Sequence, residues 1–359
     1  MKILLLNIAN NVTDFKTVAS GETIYIKQVL KQAENEVTIA SNKNGEHTAS
    51  FEDLEPIANF DKVIVIPGAL NFFGGVESPT IINNYKLLAQ WKKEIFVLQT
   101  DARLPFKQLW PSIEKRGWGY KEEDVWINSP IKVICQSRNI EEVKSQYNKN
   151  KNYVDFNDIS FEHFPIDRYA ALNAYEFLME NKNKEAAYEN DFAYYGSFRG
   201  GNRAEKMVKY LTGNVAKYFK VHVFGTLKEK QLAKLTDGKL PTFGKKVPMN
   251  KTIEEISKSK VTIILGEKFY NDAMFTVRVW ETMASNSCVL IDEEFDPKHL
   301  LFPNDSHRYI RQQNDLLVAL DYLTKDDEIL KKMIDEQHKR FLDFIDFDQY
   351  TSDFNKLFE

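Results

Sequence analysis

Apolar runs recur along the first half of the chain at residues 2–8, 36–40, 62–67, 94–99 and 131–135. Each is short and bounded by polar or turn-forming residues, as strands are. Between them lie segments such as 23–32 and 81–91, where apolar residues fall three and four apart and line one face of a helix. Alternation of this kind predicts a parallel sheet flanked by helices. The pattern then begins again, with strand 192–195, a helix from Asn202, strands 221–224 and 261–265, helix 276–284 and strand 288–292. An α/β chain of two Rossmann-like halves is expected. The boundary is set near Asp167, because 169–179 has the pattern of a connecting helix, giving domains of 1–167 and 168–339. The terminal helices, 326–344 and 349–358, are expected to cross back, so that 340–359 completes the first domain. No internal repeat or low-complexity tract interrupts the pattern.

The 359 residues suffice for two domains with ordinary cores, and 43% hydrophobic with 28% charged residues is the balance of a globular protein in water. No apolar run approaches the ~20 residues of a membrane span. The opening "KILLLNIAN" is too short for a secretory core and lacks a cleavage site, so it is taken as the first strand and a cytoplasmic location is expected. Cys135 and Cys288 lie in apolar runs and are expected to be reduced and buried. The net charge is −4, yet residues 199–260 hold fifteen basic against five acidic side chains, so the middle of the chain could meet a polyanion. Solvated helix faces would give the same count.

Ligands of open α/β sheets bind beyond the carboxyl ends of the strands. Four strand-end loops are unusual: "ALNFFGG" (69–75), "LQTDARLPF" (98–106), "YGSFRGGNR" (195–203) and "KFYNDAMFTVRVWE" (268–281). In the third, backbone N–H groups at a helix start, the Ser197 hydroxyl and the cations of Arg199 and Arg203 suit a phosphate, and Gly200 and Gly201 let the backbone approach it. The spacing fits neither a P-loop nor the dinucleotide fingerprint. In the fourth, Arg278 and Glu281 are three residues apart on one helix face; they suit a diphosphate and a ribose, or form an ordinary surface pair. Asp101 ends a nearly continuous apolar strand and suits a general base, with helix capping or pairing to Arg103 as its alternatives. Phe72 and Phe73, beside Gly74 and Gly75, suit stacking or wedging, or a mobile hydrophobic cover.

Several long segments, in order, carry a specific resemblance: "MKILLLNIANNVTDFKTVASGETIY", "NFFGG", "TDARLPFKQLWP", "INSPIKVICQS", "YGSFR" followed by "GNRAEKMVKYL", and "FYNDAMFTVRVWETMASNSCVLIDEEFDPKH". From Met1 to about His299 the chain resembles the DNA β-glucosyltransferases of T-even bacteriophages. That resemblance implies the GT-B fold, two Rossmann-like domains facing each other across a deep cleft. It implies an inverting transfer of a sugar from a UDP-sugar to the hydroxyl of 5-hydroxymethylcytosine in phage double-stranded DNA, by a monomer in the cytoplasm of the infected host, with the target base flipped from the stack. By the same resemblance Asp101 is the base, Ser197, Arg199, Arg203 and Arg278 hold the diphosphate, and Glu281 holds the ribose. Phe224, Gly225 and Val247 line the uridine side, and Glu22, Asp167 and Tyr195 the sugar pocket. Asn71, Phe72, Phe73, Gly74, Gly75 and Arg103 fall on the DNA side. Mg²⁺ or Mn²⁺ is expected to assist the diphosphate, through ligands the sequence does not reveal; Asp346 and Asp348 lie in a helical acidic tail and are not taken as a metal site.

Two positions depart from the related sequence. Asp167 stands in "FPIDRY" where the relative has glutamate, and Tyr195 where it has glycine. A retracted carboxylate and an added ring reshape a donor pocket, so glucose is the expected sugar with a pentose such as arabinose as the alternative. The segment 112–125 also differs, so its DNA contacts do not carry over. A non-catalytic DNA-binding relative would lose Asp101, Arg278 or Glu281, and all three are present. A transferase acting on lipid or polysaccharide would require a membrane-facing amphipathic helix, which the pattern does not offer.

Overall fold

The strands form two wholly parallel sheets in the computed structural model, which describes all residues except 9–11, 68–78, 102, 150–155, 157, 183, 185, 197–201, 225–240, 246 and 268–269. The first sheet holds β1 (Lys2–Asn7), β2 (Glu36–Ser41), β3 (Thr48–Ser50), β4 (Lys62–Ile66), β5 (Ile95–Gln99), β6 (Ile131–Cys135) and β7 (Ile159–His163), in the order β3-β2-β1-β4-β5-β6-β7. The second holds β8 (Asn190–Tyr195), β9 (Val221–Phe224), β10 (Thr242–Gly244), β11 (Ser259–Ile264), β12 (Cys288–Asp292) and β13 (Tyr309–Ile310), in the order β10-β9-β8-β11-β12-β13. Central strands are apolar up to their last residues because both faces are covered; every residue of β5 and of β12 is buried, including the terminal Gln99 and Asp292. Each Val, Leu, Ile or Phe so buried contributes roughly 1.5–3 kcal/mol to folding. The edge strand β7 is half-exposed. Cys135 and Cys288 are free and buried, and burial raises both thiols, Cys135 to about 12.

The chain divides into two compact units, one of Met1–Tyr169 with Phe347–Glu359 and one of Ala170–Asp346. The division falls at the start of the helix Tyr169–Asn181 and again after the helix Asp327–Phe344. That long helix is capped at its start by Asp326, whose side chain accepts from the backbone of Glu328 and Ile329, each at 3.1 Å. It stays with the second sheet through the buried amide of Gln337, which accepts from Val289 N at 2.8 Å and donates to the carbonyls of Thr282 and Ser287, each at 3.0 Å. The last helix, Phe347–Lys356, belongs with the first sheet. There Phe358 meets Phe96 of β5 edge to face at 5.2 Å, Asn35 donates to Asn355 at 2.5 Å, and the Tyr350 hydroxyl donates to Ile166 O at 3.1 Å. No helix among the described residues is long and apolar enough to cross a membrane.

Candidate active site

In the first unit three carboxyl groups follow the carboxyl ends of strands: Glu22 after β1, Asp101 after β5 and Asp167 after β7. Asp101 is held by its own loop. Gln99, the last residue of β5, turns its buried amide to donate to Asp101 O at 2.5 Å and to Leu104 O at 2.7 Å, while the Tyr147 hydroxyl donates to Gln99 Oε1 at 2.9 Å. The Asp101 carboxylate accepts from Arg103 Nε and Nη2 at 3.0 and 2.8 Å and from Arg103 N at 2.9 Å. It caps no helix: the next one, Trp110–Arg116, starts beyond Pro105 and takes no side-chain cap. Of the two alternatives to a base that the loop sequence left open, capping is overturned and the Arg103 pair is present.

Glu22 lies in the helix Val18–Gln32 and is 9% exposed. Burial is the main force on it and pushes its carboxyl up to about 7. Hydrogen bonds from Thr100 and Tyr169 oppose that rise, and the nearby Asp101 charge adds to it. Asp167 sits in the single turn Ile166–Arg168, 3% exposed. The phenol of Tyr350, from the last helix, is held neutral by burial and by the Asp167 charge.

In the second unit the strand order reverses between β8 and β11, the point at which loops diverge and leave a crevice. Arg203, in the first turn of the helix Asn202–Leu211, follows β8. Its Nε lies 3.5 Å from Glu267 Oε1, and its guanidinium stands 5.7 Å from the centre of the Tyr270 ring. Arg278 and Glu281 follow β11, in the helix Val277–Met283. Glu281 is 2% exposed, with Oε2 2.7 Å from Arg278 Nη1, a close ion pair whose atoms are not aligned for a hydrogen bond. Burial raises the Glu281 carboxyl and the Arg278 charge opposes it. The Arg278 guanidinium stands 5.9 Å from the centre of the Tyr195 ring, within cation–π range.

Tyr195, the last residue of β8, is buried and stacks on Phe224 at 4.6 Å with an 8° angle between ring planes, while its hydroxyl donates to the Glu255 carbonyl. Val247 is half-buried in the loop after β10. Ser197, Arg199, Gly200, Gly201, Gly225 and the segment Asn71, Phe72, Phe73, Gly74, Gly75 lie outside the described residues.

Sequence patterns alone did not single out Gln99, Thr100, Tyr169, Glu267 or the buried pair of Lys206 with Asp292. Glu267 and Asp292 carried a usable signal, since each is an acid at the end of a predicted strand. Gln99 and Tyr169 carried none, because polar residues at strand and helix ends are common and only the tertiary fold brings them to Asp101 and Glu22.

Residues 1–170 match the family model of bacteriophage T4 β-glucosyltransferase, and 203–354 match a glycosyl transferase-like model. The DNA β-glucosyltransferase of Enterobacteria phage T4 is 40% identical over 344 residues, covering 94% of this chain and 93% of its own. The chain belongs to the phage DNA β-glucosyltransferase family. Solved structures of the T4 phage β-glucosyltransferase extend over all of both chains: a complex with UDP and Mn²⁺ at 38% identity and TM-score 0.87, and one with its UDP-glucose substrate at 36% and 0.85. The paired parallel sheets are thus those of a GT-B glycosyltransferase. An α-glucosyltransferase in complex with UDP, 10% identical with TM-score 0.56, shares the fold alone.

Proposed function

We propose that this chain transfers glucose from UDP-glucose to the hydroxyl of 5-hydroxymethylcytosine in double-stranded phage DNA, with inversion at the anomeric carbon. The observation that carries this reading is the division of chemistry between the two sheets. Carboxyl groups gather at the strand ends of the first, while Arg203 and Arg278, paired with Glu267 and Glu281, follow the ends of the adjacent strands β8 and β11 of the second, in a chain 40% identical to a DNA β-glucosyltransferase. Asp101 takes the proton of the hydroxymethyl group as its oxygen attacks the anomeric carbon, since an alcohol is a weak nucleophile until that proton leaves. Arg203 and Arg278, with Ser197 and Arg199, hold the diphosphate and neutralise the charge that builds on the departing UDP. Glu281 accepts from the ribose hydroxyls beside Arg278, and Phe224, Gly225 and Val247 line the uridine side.

The target base lies inside a duplex, so it is extruded before reaction, with Asn71 to Gly75 and Arg103 on the DNA side. The enzyme acts as a monomer in the cytoplasm of the infected host. Glu22 and Asp167 face the sugar. Tyr195 is engaged with Phe224, Glu255 and Arg278 in its own unit, which supports a hexose as donor. Although the T4 enzyme is known in complex with UDP and Mn²⁺, no group of three His, Cys, Asp or Glu among the described residues is placed to hold a metal ion.

The test is to incubate the enzyme with hydroxymethylated duplex and a panel of UDP-sugars, digest the DNA and weigh the nucleosides. A hexose increment from UDP-glucose is expected; a pentose increment alone would replace the donor. Asp101→Asn should bind UDP and DNA as before and lose transfer by roughly 10²–10⁴-fold. Undiminished turnover would remove Asp101 from the reaction.

A further inference from the structure

Both oxygens of the Asp101 carboxylate are bonded to one neighbour. Arg103 reaches Oδ1 through Nε at 3.0 Å and Oδ2 through Nη2 at 2.8 Å, and its backbone N–H adds a bond to Oδ1 at 2.9 Å. Only a planar guanidinium meets a carboxylate in this forked way; an ammonium bonds as a point. The backbone at Asp101 and Leu104 is held by the Gln99 amide, which donates to both carbonyls, and by Leu104 N, which donates to Asp101 O at 3.0 Å. The two side chains keep 21% and 30% of their surface, so the pair lies at the face of its unit, where an ion pair adds only ~0–1 kcal/mol to stability. Stability is therefore a poor reason for so complete a fork, and orientation is the better one.

A second carboxyl competes for the same role. Glu22 is buried beside Asp101, bonded to Thr100 and Tyr169, and the one charge acting on it among the described residues is that of Asp101. Of the two neighbouring carboxyls, Asp101 is the one held in a fork by a cation. We infer that Arg103 is a positioning residue for the transfer: its fork fixes the direction of the Asp101 carboxylate, so that Asp101 and not Glu22 is aimed at the acceptor's proton.

The inference rests on Asp101 being the base. In that step the acceptor O–H bond breaks and its proton goes to Asp101. The oxygen pair forms the bond to the anomeric carbon, and the bond from that carbon to UDP breaks with its electrons leaving on the diphosphate. Arg103 gains and loses no proton; it keeps the receiving oxygen in place.

Single-turnover rates at saturating UDP-glucose and hydroxymethylated duplex test it, with DNA affinity measured alongside by titration. Arg103→Ala should slow the rate roughly 10–100-fold with UDP affinity unchanged, and added guanidinium ion should restore a good part of that rate without restoring DNA affinity. Arg103→Lys, which keeps the charge and loses the fork, should stay slow. An Arg103→Ala variant with full rate and weakened DNA binding would overturn the inference and leave Arg103 a DNA ligand only; so would a slow variant that guanidinium does not rescue, or a fully active Arg103→Lys. If Arg103→Ala fails to fold, the lysine variant decides alone. Asp101→Asn in the same assay separates the two ideas: an inactive asparagine variant beside a fast Arg103→Ala sinks only the role of Arg103, whereas an active asparagine variant sinks the base itself.

Discussion

At neutral pH the carboxyl of Glu22 stands at its half-point, because its burial opposes charge more than Thr100 and Tyr169 favour it. Its folded value of about 7 lies above the 4.5 of a free glutamic acid, so between those limits the folded chain binds more proton than the unfolded one. The stabilising contribution is then fully present below about 4.5 and is lost as the pH rises through 7, by an amount on the order of 3 kcal/mol. Glu22→Gln removes the titration. In urea unfolding between pH 5 and 8, the wild-type chain should lose stability relative to the variant as the pH rises; a difference that stays level with pH would show that Glu22 titrates normally. Their place in strand-end loops singled out Asp101, Arg278 and Glu281 as candidates, since such sheets bind ligands there, and left capping or ion pairing as alternatives. The shift on Glu22 was not legible, because it comes from Thr100, Tyr169 and Asp101, which meet it only in the folded unit.

The turn that leaves β8 shows how one element constrains another. Gly196 donates to the carbonyl of Phe224 at 2.9 Å, and a Cβ built on it would stand 2.5 Å from the hydroxyl oxygen of Tyr194 and 2.8 Å from its Cζ. Tyr194 cannot step aside, since it is packed in the core with Phe192, Met207 and Val223. Gly196→Ala should therefore destabilise by about 1–3 kcal/mol and raise the donor KM, as overpacking strains the end of β8 and the Gly196 bond to Phe224. A urea midpoint and UDP affinity equal to wild type would show that the turn has slack.

Long apolar strands such as β1, β4, β5, β6 and β12 were legible as runs because helices bury both their faces. β3, β10 and β13 were not, at two or three residues each, and β7 hid its strand character behind the polar positions of a half-exposed edge. The helix after Asp101 starts at Trp110, six residues beyond the start of "LPFKQLW", because Gln99 holds the carbonyls of Asp101 and Leu104 out of a helical turn.

At the scale of the molecule, the last thirteen residues complete a core begun by the first. Phe354 and Phe358 are fully buried, the latter against Phe96 and the former. Phe358→Ala should cost about 3–5 kcal/mol, and hydrogen exchange should lose protection in β5 and β6 while β8, β11 and β12 keep theirs. Equal loss in both sheets would mean that the two units unfold together. The alternation of strands and helices revealed two sheets from sequence alone. How the tail divides was harder to see: the helical spacing of 326–344 and 349–358 is alike, and only their buried partners, Gln337 on one and Phe358 beside the other, assign them to different units.

The second unit is thus an insertion in the sequence of the first, entered once near Tyr169 and left once after Asp346. Residues 170–346 are continuous in sequence, so the second unit is closed by its own connections, whereas the first must bring Phe354 and Phe358 back to strands that precede the insertion. The cost of closing a loop as long as the whole inserted unit therefore falls on the unit that carries Asp101 and Glu22.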